Sequence, residues 1–329
     1  MSYNLYLPEG YLIGTPENRE YTSTPQNLER AMLSGRILEG MATLCDTSLN
    51  LTVDLGCMRG IIPREECALT AEGEIVKDIA VITRVGKAVC FRVKRITRDE
   101  NGEPVAILSR REAQSDCMEH YLKHLTCGDI IPSKVTHLEH FGAFVDIGCG
   151  VVSLLTIDCI SVSRITHPRD RFAVGQRIYT VVKNIDPATG RIYVTHKELL
   201  GTWEENASLF EVGQTVAGIV RSIEDYGIFI ELTPNLAGLA ERSGCGCRGE
   251  DITVGQTAAV YIKNILPDRM KIKLVLIDSY KGELKPKRLE YMRQVESGSH
   301  MELWRYSPTS CRRVVETDFR IPVELQRGN

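Results

Sequence analysis

The chain repeats itself, and this constrains its fold more than any single motif. GDIIPSKVTHLEHFGAFVDI (Gly128 to Ile147) lies without a gap over GQTVAGIVRSIEDYGIFIEL (Gly213 to Leu232), 85 residues on. Both segments carry a glutamate, then an aromatic, a glycine and a phenylalanine. These are Glu139 and Phe141-Gly142-x-Phe144 in one, and Glu224 and Tyr226-Gly227-x-Phe229 in the other. Farther along, VGQRIYTVVKNIDPATGRIYV (Val174 to Val194) lies over VGQTAAVYIKNILPDRMKIKL (Val254 to Leu274), now 80 residues apart. The intervening loop of the later unit is five residues shorter, and length variation of this kind belongs to loops. A fainter first copy starts at Ser34 and ends in VGKAVCFRVKRI…VAILSRRE (Val85 to Glu112), with Leu49-x-x-Thr52 standing where Phe141-x-x-Phe144 stands.

Each unit is a series of short, β-branched-rich runs broken by Gly, Pro and Asp, which reads as strands and turns. Val89, Phe91 and Val93 alternate with Cys90, Arg92 and Lys94, the period-2 pattern of a half-buried strand. A small unit of about five strands removes its exposed edges best by closing on itself. The expectation is an all-β chain of three tandem five-stranded barrels joined by short helical segments. The barrels span 34–115, 126–199 and 212–279. An extension over 1–33 holds one short helix, from the Thr24-Pro25 start to Ser34-Gly35. An irregular tail covers 280–329, with a basic stretch from Lys281 to Arg293. Helical linkers are expected over Met118–Leu125 and Trp203–Phe210, each with an aromatic and leucines on one side for docking.

The function classes narrow next. No run approaches the roughly 20 apolar residues that span a bilayer, and MSYNLYLPEG lacks the basic-then-apolar order of a secretory signal. Eleven cysteines, an odd number scattered along a long chain, fit a reducing cytoplasm better than a disulfide framework. Cys245-x-Cys247 has no second close pair and no neighbouring histidine, so no metal is expected there. His120, His124, His137 and His140 have no nucleophile elbow, carboxylate pair or phosphate loop beside them, so the chain reads as no enzyme and needs no cofactor. The formal net charge of -3 argues against capture of nucleic acid by a global field. Binding would have to rest on stacking and a few placed cations.

The FGAFVDIG segment, followed by VGQ…VVKNID…RIYVTHKE, resembles the S1-type RNA-binding domain, and TWEENASLFEVGQ resembles the linker of the tandemly repeated bacterial S1 proteins. The resemblance is strong over 128–277, weaker over 34–112, and absent at both ends. It implies an oligonucleotide-binding barrel whose RNA face carries two aromatics, a histidine and a basic residue. In the second unit these positions hold Phe141, Phe144, Thr156 (no histidine) and Arg191. In the third they hold Tyr226, Phe229, Glu241 and Lys271, and a carboxylate at Glu241 should repel phosphate. The first unit has lost both aromatics and has Val105 at the basic position. In the family such a copy serves protein contacts, including docking on the ribosome. The implied partners are single-stranded mRNA and the small ribosomal subunit, the latter through the first repeat; the implied alternatives are an RNA regulator acting outside the ribosome and a scaffold that has lost RNA binding.

Two aromatics three positions apart on one strand should face opposite sides. Either a bulge at the intervening glycine brings both outward, or one ring is core. Around them, SVSRITHPRDRF offers Arg164, His167, Arg169 and Arg171 as a phosphate clamp or as a solvated loop. Lys134, His137 and His140 are further candidate contacts. Arg84, Lys87, Arg92, Lys94, Arg95 and Arg98 read as a charged outer face offset by Glu72, Glu74 and Asp78, more than as a ribosomal-RNA contact. Asp46, Asp54, Asp146 and Glu231 are read as structural, and Trp304 as an anchor for the tail, with RNA stacking by the tail as its rival.

Overall fold

The computed structural model describes residues 6–70, 74–241, 252–280, 290–292 and 295–320. Cys245, Cys247, Glu72 and nearly all of the basic stretch 281–293 lie outside them. Three closed five-stranded barrels follow one another. The first is built from β1 (Leu38–Cys45), β2 (Leu51–Asp54), β3 (Arg59–Ile62), β4 (Ala88–Arg98) and β5 (Pro104–Ser109). The second uses β6 (Ile130–Glu139), β7 (Gly142–Asp146), β8 (Val152–Thr156), β9 (Arg177–Ile185) and β10 (Ile192–Thr195). The third uses β11 (Thr215–Glu224), β12 (Gly227–Thr233), β13 (Leu236–Glu241), β14 (Thr257–Leu266) and β15 (Lys271–Tyr280). All three share one strand order, first-second-third-fifth-fourth, with the fourth closing on the first. In each, the third and fifth strands run parallel. The period-2 reading of β4 holds, with Val89, Phe91 and Val93 all turned into the core.

The chain gathers into two compact units. The first runs to Leu125 and takes in Pro132–Lys134 and Val145–Val152. Its lead carries two helices where one was expected, α1 (Pro16–Thr22) and α2 (Pro25–Leu33). Thr15-Pro16 repeats the Thr24-Pro25 start. Each threonine hydroxyl accepts the amide three residues on, from Asn18 and Asn27, and each proline fills a site that needs no N–H donor. The lead is fastened by carboxylates. Glu39 accepts the amides of Gly10, Leu12 and Ile13, and buried Glu9 takes the guanidinium of Arg110. Asp146 accepts the Glu9, Gly148 and Gly150 amides. Burial pushes the Asp146 carboxyl up to about 7, with the Glu9 charge adding to the rise. For Glu9 burial also pushes upward, but the Arg110 charge and hydrogen bonds hold it below the ordinary carboxylate range. The first repeat also has α3 (Asp78–Ile82).

Three of the six basic residues singled out in the first repeat have acidic partners among the described residues. Arg84 pairs with Glu9, Arg92 with Asp116, and Lys94 with Glu66 and Glu112. These partners are not the Glu74 and Asp78 that the sequence suggested, and Asp78 pairs instead with Arg64.

The linkers differ in extent from expectation. α4 covers Arg110–His120, and only a single 3-10 turn, Leu122–His124, lies in the later part of the expected segment. The reason is Ser109, whose hydroxyl accepts the Glu112 amide, so the helix begins where β5 ends. α5 (Trp203–Ala207) starts where expected, on a reciprocal box between Thr202 and Glu205.

The second unit holds Thr126–Ile131, Val135–Phe144 and the chain from Ser153. Its core joins Trp203, Val220, Ile230 and Val260 to Trp304, Tyr306 and Phe319 of the tail. The tail is therefore not irregular throughout. β16 (Leu303–Arg305) and β17 (Glu316–Asp318) pair as an antiparallel ribbon, and Trp304 is 1% exposed, a packing anchor with no face to offer a base. No helix among the described residues is long and apolar enough to cross a membrane.

Candidate nucleic-acid interface

Ala143 and Val145 of β7 point into the second barrel, so Phe144 between them points out and is half-buried. Phe141 does not obey this alternation because it is not on the strand. It lies in the turn between β6 and β7, 55% exposed, with its ring edge-on to Phe144 at 5.9 Å and 89°. The turn, and not a bulge, thus brings both rings to the outside. Gly142 is needed for another reason: a Cβ there would meet the Leu155 carbonyl oxygen at 2.4 Å. A second aromatic layer surrounds the pair. His137 lies nearly parallel to Phe144 with 6.3 Å between ring centres, and His140 stands edge-on to His167 at 4.7 Å.

The third barrel builds the same device from different residues. Tyr226 sits in the β11–β12 turn, 64% exposed, and half-buried Phe229 faces out from β12. Their rings meet edge-on at 6.1 Å and 89°. A Cβ on Gly227 would come 2.7 Å from the Ala240 carbonyl oxygen, so the glycine again permits close strand approach. In the first barrel the corresponding turn residue is Leu49, at a φ of 64°, and Val105 is buried.

The candidate cations divide. Arg191 is exposed at the entry to β10, where its charge helps hold the Asp186 carboxyl below its ordinary range, and Arg164 is exposed in the 161–172 loop. Arg169 is also exposed, its amide donating to His167 Nδ1. Arg171 must be withdrawn from the phosphate-clamp set. It is buried, its guanidinium held by Glu231 and the Ser161 hydroxyl. Its loop is fixed further by Asp170, which pairs with Arg221, and by the Val162 amide, which donates to Asn235. A pinned loop with one inward arginine is thus neither a free clamp nor a wholly solvated loop. Lys134 is likewise committed: its ammonium donates to the Glu9 carbonyl at 2.7 Å in the first unit. Lys271 is exposed at the start of β15.

Two outward residues were missed. Tyr193 stands opposite Leu154 on the outer side of the second barrel, half-buried. In the third barrel, Phe229 lies opposite Leu239 and Leu239 opposite Lys273, whose ammonium is 3.5 Å from Glu241. Alternation of RIYV and MKIKL would have found both. The Lys273 contact also offsets the carboxylate that made the third repeat look unsuited to phosphate.

Exposed flat rings are chemically suited to stacking on unpaired bases, and exposed guanidinium groups to their phosphates. Residues 125–197 match the family model of the S1 RNA binding domain. The small ribosomal subunit protein bS1 of Staphylococcus haemolyticus (strain JCSC1435) is 31% identical over 234 residues, 68% of this chain and 57% of that protein. The small ribosomal subunit protein bS1 homolog of Bacillus subtilis (strain 168) is 31% identical over 234 residues, 68% of this chain and 58% of its own length. The chain thus spans less than two thirds of the curated relatives it matches. A multidomain protein with nucleic acid binding domains from Streptococcus pneumoniae TIGR4 covers 74% of each chain at 16% identity, with a TM-score of 0.23. Three barrels of one strand order, the matched domain in the second and the length of alignment to bS1 proteins establish that the chain belongs to the S1 family.

Proposed function

We propose that the chain is a cytoplasmic, non-catalytic RNA-binding protein that holds single-stranded mRNA and associates with the small ribosomal subunit in translation. The observation that carries this reading is the recurrence of an exposed edge-to-face aromatic pair at one place in two barrels. Phe141 and Phe144 are assigned as the principal site, with Arg164, Arg169 and Arg191, exposed in the same repeat, as its candidate phosphate contacts. The first barrel, which has no such pair, is the part available for protein contacts. The ribosomal partner is supported by the name its relatives carry.

Fluorescence anisotropy with labelled oligo(U) tests RNA binding. Stacking contributes about 1–3 kcal/mol per base. Phe141→Ala combined with Phe144→Ala should therefore weaken binding by tenfold or more, and a double variant that binds as tightly as wild type ends the claim. Sedimentation through sucrose tests the ribosomal part. Co-migration with small subunits supports it, whereas protein found only at the top of the gradient moves the function to RNA regulation outside the ribosome.

A further inference from the structure

The third barrel carries a cleft of about 830 Å³, within the roughly 300–1,000 Å³ typical of small-ligand sites. One wall comes from the barrel, with Phe229, Arg269 and Lys271; the other comes from the tail, with Tyr306, Arg312 and Arg313. We propose that the C-terminal ribbon completes a nucleotide pocket on this barrel. An unpaired RNA base lies against Phe229, and its flanking phosphates are held by Lys271, Arg312 and Arg313. This inference rests on the RNA-binding reading above and assigns the tail a part in it.

The tail wall is built, not draped. β16 and β17 form a ribbon whose pairing continues past Arg305 and Glu316 into the Tyr306 amide bond to the Val315 carbonyl, 2.8 Å. The Val315 amide returns to the Ser307 hydroxyl at 3.1 Å, closing the base of a loop that holds Arg312 and Arg313. Buried Trp304 fixes the ribbon from within, and Tyr306 fixes it to the barrel: its hydroxyl donates to the Asn235 carbonyl at 2.6 Å, and its own carbonyl accepts the Trp203 amide.

Charge and shape then select the ligand. Asp268 is the one carboxylate among the residues lining the cleft, and it lies 3.4 Å from Arg269. Among the described residues, Lys271, Arg312 and Arg313 are exposed and have no acidic partner. A chain whose formal charge is -3 thus places a cluster of uncompensated cations beside an outward ring. The polar groups at the cleft floor are already used, since both the carbonyl and the amide side chain of Asn235 are bonded within the protein. Recognition would come from stacking and phosphate contact, with little reading of base identity.

The test uses the full chain carrying Phe141→Ala and Phe144→Ala, so that the second barrel is silenced. Binding of labelled U12 is followed by anisotropy at several salt concentrations. Adding Arg312→Ala and Arg313→Ala should cost a further tenfold. It should also flatten the dependence of log K on log salt by about 1.4, since each single-strand phosphate contact contributes about 0.7. Lysine at both positions should restore most of the slope. The substituted residues are surface residues, so thermal melting should be unchanged. Unchanged affinity and slope, in a protein that loses binding on Tyr226→Ala plus Phe229→Ala, overturns the tail's role and leaves barrel binding standing. Absence of U12 binding in the silenced background, with wild type still binding, removes the pocket. Failure of wild type to bind at all removes the RNA reading with it. Displacement of U12 by UMP at equal nucleotide concentration, or by poly-glutamate as well as by RNA, would make this a small-molecule or acidic-peptide site and overturn the assignment.

Discussion

His196 shows at the scale of one residue how the fold sets a chemical state. Its ring is buried between Phe172 and Tyr291, with Nδ1 3.0 Å from the Ile160 carbonyl. A carbonyl only accepts, so Nδ1 carries the proton, and Nε2 faces a site with no partner among the described residues. Burial pushes the imidazole down from 6.5 to about 4. Between these values the unfolded chain takes up a proton that the native protein refuses, so stability falls as pH drops from about 6.5 to 4. The full shift corresponds to about 3 kcal/mol. Urea midpoints measured at pH 7, 5.5 and 4.5 should decline more steeply in wild type than in His196→Gln; parallel declines would refute this account. Residues also differed in how readable they were. Phe141 and Phe144 stood out because rings are scarce in this sequence and these two recur with a fixed spacing in the next repeat. That the first lies in a turn could not be read from spacing. Nor could the fates of Arg169 and Arg171 be told apart. They share a loop and a chemistry, and a glutamate 60 residues on from Arg171 decides between them.

At the scale of elements, that glutamate organises the loop. Pairing of β11 with β12 slips between Val220 and Ser222, and the irregularity at Arg221 turns its guanidinium onto Glu231 at 2.7 Å. Glu231 thus serves two buried arginines, while Asp170 serves Arg221 from the loop. Removing the carboxylate strands the buried Arg171 cation and leaves Arg221 to Asp170 alone, and breaking a buried pair in this way costs about 3–5 kcal/mol. Glu231→Gln should lower the melting temperature of the second unit markedly and raise hydrogen exchange in the 161–172 loop. Exchange and melting unaltered from wild type would mean that the network holds nothing. Strands and barrels were legible because β-branched alternation and turn residues recur in register across the repeats. The start of α4 was not, because Ser109-Arg110-Arg111-Glu112 reads as the end of a strand while also carrying a helix cap. The tail ribbon left no such signal. It is held by Trp304 and Tyr306 against residues 70 to 100 positions earlier, and a sequence with no repeat to compare gives no warning of that.

For the whole molecule the governing fact is that the chain is acidic and its candidate RNA contacts are few and local. Each barrel should hold only a few nucleotides, so neither alone would retain a message for long. Two sites on one chain change this, because a strand caught by one meets the other at a high effective concentration when it is long enough to reach. Affinity for oligo(U) should therefore rise in two regimes. From U4 to about U10 it should grow gently as one site fills. Beyond the length that engages both aromatic pairs it should rise by tenfold or more above the statistical factor for extra binding registers. Tyr226→Ala with Phe229→Ala should abolish the second rise and leave the first, and the equivalent change at Phe141 and Phe144 should weaken both. A series from U4 to U30, followed by anisotropy at fixed salt, distinguishes these cases. If long and short strands differ only by the number of registers, the barrels act singly, and the recurrence of the aromatic pair contributes capacity without retention.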